Sequence, residues 1–237
     1  MPAPTTRPLG RVLVTGGASG LGAAVVQAVL DGGGTPIVLD RNISGLPSDG
    51  SIEARQVDVS DTRAVERVVT EVAESLGGLD AVVTAAGIDR CGRLEDVAAE
   101  EWERVIGVNL LGTVAVVRAA LPHLKESHGR VVTVASSLAI KAVADATAYC
   151  ASKFGVLGFS RALAAETKGE IGVTTLIPSG MKTHFFDDRD EKYKPQDDSR
   201  LNDPAVVANA VLFVLGQPET SEVREMVICH AEEDSWP

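Results

Sequence analysis

The chain is poor in the residues that staple or metallate small proteins. Three cysteines, Cys91, Cys150 and Cys229, and four histidines are scattered through 237 residues. Without any Cys-x-x-Cys spacing, neither a disulfide framework nor a zinc site is indicated, and no metal is expected. Positive charge is scarce as well: 22 basic residues face 33 acidic ones, a net charge of -11. Nucleic acid and anionic membrane surfaces reward basic patches, so neither is an expected partner. The most apolar helical stretch, 110–121, is broken by Gly112, Thr113 and Arg118, and the opening MPAPTTRPLG lacks the apolar core of a signal peptide. A cytoplasmic location is the expectation.

What is present is an aliphatic chain, 45% apolar, in which strand-like and helix-like segments alternate. That alternation predicts the α/β class, a doubly wound parallel sheet with helices on both faces, large enough to bury a core unaided. Residues 1–10, Pro-rich and polar, read as a loose arm, and 11–237 as a single domain.

The stretch RVLVTGGASGLG, residues 11–22, organises the rest. Val12, Leu13 and Val14 make a strand covered on both faces. Gly16, Gly20 and Gly22 then remove side chains where the backbone must turn and approach a phosphate, and Leu21, Ala24, Val25, Ala28 and Val29 form the apolar stripe of a helix. Such a helix start, with its free amides, suits an anion. Asp40 ends the apolar run Ile37-Val38-Leu39, where a carboxylate can take both ribose hydroxyls and repel a 2′-phosphate. NAD is therefore the expected coenzyme, with NADP left open because Arg41 is adjacent.

Further strands are expected near 52–57, 79–83, 131–135, 173–177 and 226–229. Helices are expected after a cap at Ser60 or Asp61, over 99–124, from near Tyr149, and over 204–215. Tyr149 and Lys153 lie one helical turn apart on one face, where an ammonium lowers the pKa of a phenol from about 10. Ser136 ends a strand, the place where doubly wound sheets put their ligands.

Taken together, these residues resemble the short-chain dehydrogenase/reductase family over nearly the whole chain. Thr15-Gly16 with Gly20 and Gly22 matches its coenzyme turn, which also holds Ser19 and Leu21. Asp58-Val59 matches the pair that meets adenine, and Ala85-Ala86-Gly87 the end of its Asn-Asn-Ala-Gly motif. Asn109 matches its helix Asn, and Ser136, Tyr149 and Lys153 its catalytic set. Pro178, Gly180 and Thr183 match the segment around the nicotinamide. Thr84 departs from the first Asn of that motif, Ser179 stands where Gly usually follows Pro178, and the final strand lacks the frequent Val-Asp-Gly-Gly ending.

The resemblance implies seven parallel strands in a Rossmann-type fold and hydride transfer between a nicotinamide and a secondary alcohol or ketone. It makes Tyr149 the acid or base, Ser136 the group that polarises the substrate oxygen, and Lys153 the group that lowers the Tyr149 pKa and holds the ribose. Asn109 would fix a water for proton relay. A homodimer or homotetramer built on helices around 99–124 and 149–168 is implied too. Two rival readings are a 3-oxoacyl thioester reductase using NADPH and a catalytically silent nucleotide-binding module. Residues 181–202 read as a substrate lid. Phe185 at its start, with Ile88, Ile140 and Val143 as walls, suggests a mainly apolar substrate, while Lys141 or His184 could meet a polar tail.

Overall fold

The computed structural model describes residues 7–47 and 50–233. Seven parallel strands form one sheet in the order β3-β2-β1-β4-β5-β6-β7. They are β1 (Arg11–Thr15), β2 (Thr35–Asp40), β3 (Glu53–Gln56), β4 (Ala81–Thr84), β5 (Arg130–Val134), β6 (Gly172–Pro178) and β7 (Glu225–Ile228). The order reverses beside β1, which pairs with β2 on one side and β4 on the other. A crevice opens at such a reversal, at the C-terminal ends of the strands.

Side-chain alternation sorts the core into two layers. Leu13, Ile37, Leu39, Val82, Val131 and Val173 face the layer formed by α2 (Thr62–Leu76) and α4 (Thr113–Glu126), with α5 (Thr147–Glu166) beside them. Their neighbours Val12, Val14, Val38, Val83, Val132 and Leu176 face α1 (Gly20–Asp31) and α6 (Pro204–Leu215). Both faces are apolar, which is why these strands read as continuous β-branched runs.

The helix termini follow from local chemistry. Asp61, the second of the two expected caps, accepts the amide of Ala64 at 2.9 Å, whereas Ser60 turns back to Asp58. At the other end of α2, Gly77 adopts φ +74° and closes the helix. Asp203 caps α6 with Pro204 in its first turn.

The helical region expected over 99–124 is present and runs in three joined pieces, α3 (Ala99–Ile106), a π-helical stretch Gly107–Gly112, and α4. A Cβ at Gly112 would come within 2.9 Å of the Val59 carbonyl, so glycine lets this stretch press against the segment after β3. The run Ala99–Glu126 is long and apolar enough to cross a membrane by length and composition, yet Val105, Ala115, Val116, Val117, Ala120 and Leu124 are buried in this fold.

The described part of the expected arm begins at Arg7, which is bonded to the domain. Residues 1–6 lie outside the described residues, but the Arg7 amide donates to Gly216 at 3.1 Å and its guanidinium to the carbonyl of Ser127 at 2.6 Å. These bonds tie the chain's entry to the ends of α6 and α4.

Candidate active site

A cleft of about 840 Å³ runs along the C-terminal ends of the strands. Every residue expected to hold the coenzyme borders it, from Gly16 to Thr183. Gly16 has φ +67°, and a Cβ there would lie 2.9 Å from the Ala86 amide. A Cβ at Gly22 would lie 2.1 Å from the Gly16 carbonyl oxygen, so α1 can start this close to the turn only without one. Ser19, the residue before α1, makes no capping bond with its side chain. The first amides of the helix therefore keep no side-chain acceptor, which fits a diphosphate.

The end of the cleft beside β2, where adenosine is expected, is equally ordered. Asp40 accepts the Ala18 amide with one oxygen and the Asn42 amide with the other, both at 3.0 Å. Asp58 accepts the hydroxyl and amide of Ser60 at 2.7 and 2.9 Å, and the hydroxyl bond leads the influences that hold its carboxyl below the usual range. Arg41 is exposed at the same rim.

Near the middle of the cleft, Tyr149, Ser136 and Lys153 are all buried. Tyr149 and Lys153 share a face of α5, and Lys153 Nζ lies 5.6 Å from the Tyr149 ring centroid. Lys153 donates to the Val134 carbonyl at 2.8 Å, and burial pushes its pKa down to about 8. Burial pushes the Tyr149 phenol up to about 12, opposed first by its hydrogen bond with Ser136. Lys153 is not among the groups that set this value. Desolvation outweighs every charge nearby, and the lysine is turned to Val134.

Asn109, inside the π-helical stretch, does not border the cleft. Its Oδ1 accepts the Ile88 amide at 2.8 Å, and its Nδ2 donates to the Ile88 carbonyl at 2.9 Å and to Ser152 at 3.0 Å. The side chain is a clamp on the strand exit after β4, and its Oδ1, which accepts one amide, keeps a second lone pair for the expected water.

The end of the cleft beyond Tyr149 is bordered by the segment 181–202, whose two feet are tied by backbone. Lys182 donates to Asn202 at 2.8 Å and Asn202 to Gly180 at 2.9 Å. Asn202 also donates to the Ser179 hydroxyl at 3.0 Å, which gives the departure at Ser179 a structural use. Thr183 accepts the Phe185 amide at 3.3 Å and starts a short turn, His184–Phe186. Phe185 then lies over Tyr149, ring centroids 5.7 Å apart.

Of the expected walls, Ile88, Ser136, His184 and Phe185 border the cleft. Ile140, Val143 and Lys141 do not: Ile140 and Val143 are 38% and 45% exposed. The tight turn Ser137–Ala139 buries Ala139 instead and sends the chain outward. Leu138 takes the apolar wall position, packed with Phe185 on Tyr149 and Cys150.

The comparisons agree with this geometry. The family model described as "short chain dehydrogenase" matches residues 10–194. The chain belongs to that family. An uncharacterized oxidoreductase of Staphylococcus aureus (strain MW2) is 30% identical over 224 residues, spanning 91% of this chain and 95% of its own. A D-threitol dehydrogenase of Mycolicibacterium smegmatis is 35% identical over 183 residues, 73% of this chain and 70% of that protein. Among solved structures, an alcohol dehydrogenase from Thermococcus sibiricus, complexed with 5-hydroxy-NADP, shares the fold with a TM-score of 0.86 at 24% identity. That match covers 94% of this chain and 97% of the other.

In this short-chain dehydrogenase that same end of the cleft, beyond Tyr149, carries charges that sequence reasoning missed. Asp89, Arg189, Lys192 and Tyr193 border the cleft. Asp89 further disfavours the Tyr149 phenolate and Arg189 favours it. Cys91 sits there too, 3.1 Å from Asp89, its thiol pushed up to about 12 by burial and that carboxylate, so it is no ready nucleophile. Arg189 and Tyr193 lay within a run so densely charged that it reads as solvated; no periodicity distinguishes a charge that folds inward.

Proposed function

We propose that this short-chain dehydrogenase transfers a hydride between NAD and a secondary alcohol or ketone, with Tyr149 as the acid or base. The observation that carries the reading is the burial of Ser136, Tyr149 and Lys153 together, with Lys153 Nζ 5.6 Å from the Tyr149 ring centroid, at the middle of a cleft whose other end is a glycine turn. NAD, when bound, supplies the hydride acceptor. Tyr149 moves the proton at its phenolic oxygen, and Ser136 donates to the substrate oxygen, where charge develops. Lys153, an ammonium below pH of about 8, contributes positive charge for ribose hydroxyls and for a phenolate that forms beside it.

NAD is preferred over NADP because the Asp40 carboxylate is held in place by two amides. A fixed anion there accepts ribose hydroxyls and repels a phosphate. The Thermococcus sibiricus protein holds an NADP analogue, which makes the choice a matter for titration. Both reduced coenzymes should be titrated, and tighter binding of NADPH would overturn the preference.

The substrate is a small polar secondary alcohol or its ketone. Phe185 and Leu138 form an apolar cover beside Tyr149, and the far end is lined by Asp89, Arg189 and Tyr193, which are paired with one another and with Asp145. The Mycolicibacterium smegmatis relative, named a D-threitol dehydrogenase, supports the polyol side of this class. A coenzyme-coupled screen over polyols, apolar ketones, hydroxy acids and acyl thioesters tests it; turnover restricted to apolar ketones or thioesters would refute it.

Self-association belongs to the same reading. Leu111 and Phe154, 50% and 44% exposed, lie on the helical surface expected to pair. Light scattering at micromolar concentration should give a dimer or tetramer.

A further inference from the structure

We propose that Arg189 is a positioning residue for this reaction: paired with Asp89, it fastens the tip of the 181–202 segment over the cleft and holds Phe185 against Tyr149. The proposal rests on the reading above, in which Tyr149 handles the proton.

Asp89 lies just past β4 with its side chain 3% exposed, and Arg189 Nη2 donates to it at 2.6 Å. A carboxylate this buried is tolerated only with a partner. Its other oxygen accepts the Arg90 amide at 2.7 Å, which fixes the direction it presents to Arg189. The guanidinium carbon sits 5.2 Å from the Phe185 ring centroid and 4.6 Å from that of Phe186, both within cation–π range. Phe185 in turn meets Tyr149. A continuous line of contact therefore runs from Asp89 through Arg189 and Phe185 to the phenol.

The feet of the segment are joined by backbone bonds, so they do not need this pair. The tip does. Arg189 also donates through Nη1 to the Tyr193 carbonyl at 3.3 Å, and the Tyr193 hydroxyl donates to Asp145 at 3.0 Å. Arg189 thus gathers the two aromatic rings and the Tyr193 backbone around one buried anion. Without it, the tip keeps the Tyr193 hydroxyl bond to Asp145 and the packing of Phe185, but both rings lose their cation, while the glycine turn across the cleft is untouched.

Three variants test this: Arg189→Met, Arg189→Lys and the double variant Asp89→Asn/Arg189→Met. Hydrogen exchange of amides in 184–195 should speed up about tenfold or more in Arg189→Met, with the sheet amides unchanged. With the best alcohol from the screen, KM should rise about tenfold while kcat falls less than about threefold and NAD affinity stays within about threefold. Arg189→Lys should recover most of the KM, and the double variant should be no worse than Arg189→Met, because the pair acts as one unit. Unchanged exchange at 184–195, or an unchanged KM, in Arg189→Met would overturn the proposal. If the unaltered protein turned over nothing, the hydride-transfer reading would fall, while the exchange measurement would still report whether the pair fastens the tip.

Discussion

The carboxylate of Asp40 at the end of β2 accepts the amide of Ala18 in the neighbouring glycine turn, 3.0 Å away. One side chain therefore both shapes the turn and presents a negative charge to whatever the turn binds. Asp40→Ser should weaken NADH about tenfold and leave NADPH unchanged or tighter, because it removes an acceptor for ribose hydroxyls and the repulsion of a phosphate. Fluorescence titration with each coenzyme measures this; equal weakening of both would assign Asp40 to the turn alone.

The glycines of the turn should differ in cost. A Cβ at Gly22 meets the Gly16 carbonyl oxygen at 2.1 Å and one at Gly16 meets the Ala86 backbone at 2.9 Å, whereas at Gly20 the nearest contact is Thr183 at 3.5 Å. Gly22→Ala should cost most, on the order of 3 kcal/mol or loss of folding, and Gly20→Ala about 1 kcal/mol for its φ of +53°. Urea denaturation of the three alanine variants gives the ranking, and a Gly20 variant worse than Gly22 would contradict the packing argument.

Tyr149→Phe removes the oxygen and little else. Turnover should fall by about 10²-fold or more with coenzyme affinity largely retained. A variant that kept most of its rate would take the proton-transfer role away from Tyr149.

Lys153 and Tyr149 should shape the alkaline stability profile in opposite senses. The folded Lys153 pKa is depressed to about 8 from 10.5, so between those values the unfolded chain binds the extra proton. Stability then rises with pH across that window, by up to about 3 kcal/mol. The folded Tyr149 pKa is raised from 10.0 to about 12, so its contribution is complete below 10 and is lost as pH rises through 12. Denaturation midpoints of the unaltered protein and Lys153→Met from pH 7 to 10 check the first effect. A difference between them that did not change over that range would show that Lys153 does not titrate there.

The sheet and the coenzyme end were legible because their physics is local. Val12 to Val14, Ile37 to Leu39 and the glycines announce buried strands and a tight turn within a few residues of sequence. The substrate end was not, because its order comes from contacts between distant segments. No local pattern singles out Asp89, and only Arg189, a hundred residues later, pairs it as a buried anion. Ile140 and Val143 were misplaced for the same reason. Their apolar character was visible, but the turn at Ser137–Ala139 that sends them outward was not. The π-helical stretch around Asn109 carried a faint signal in Gly107 and Gly112, two glycines inside a helical pattern.

The strand order has a consequence for how the protein comes to life. Thr15 and Thr84 are register partners across the reversal, though α1, β2, β3 and α2 separate them in sequence, and Ser136, Tyr149 and Thr183 arrive later still. Contacts this remote form slowly, after much of the chain has been ordered. A nascent or half-folded molecule therefore has no weak precursor of the cleft, so coenzyme binding and a fully assembled sheet should appear together during refolding, as one event on one clock.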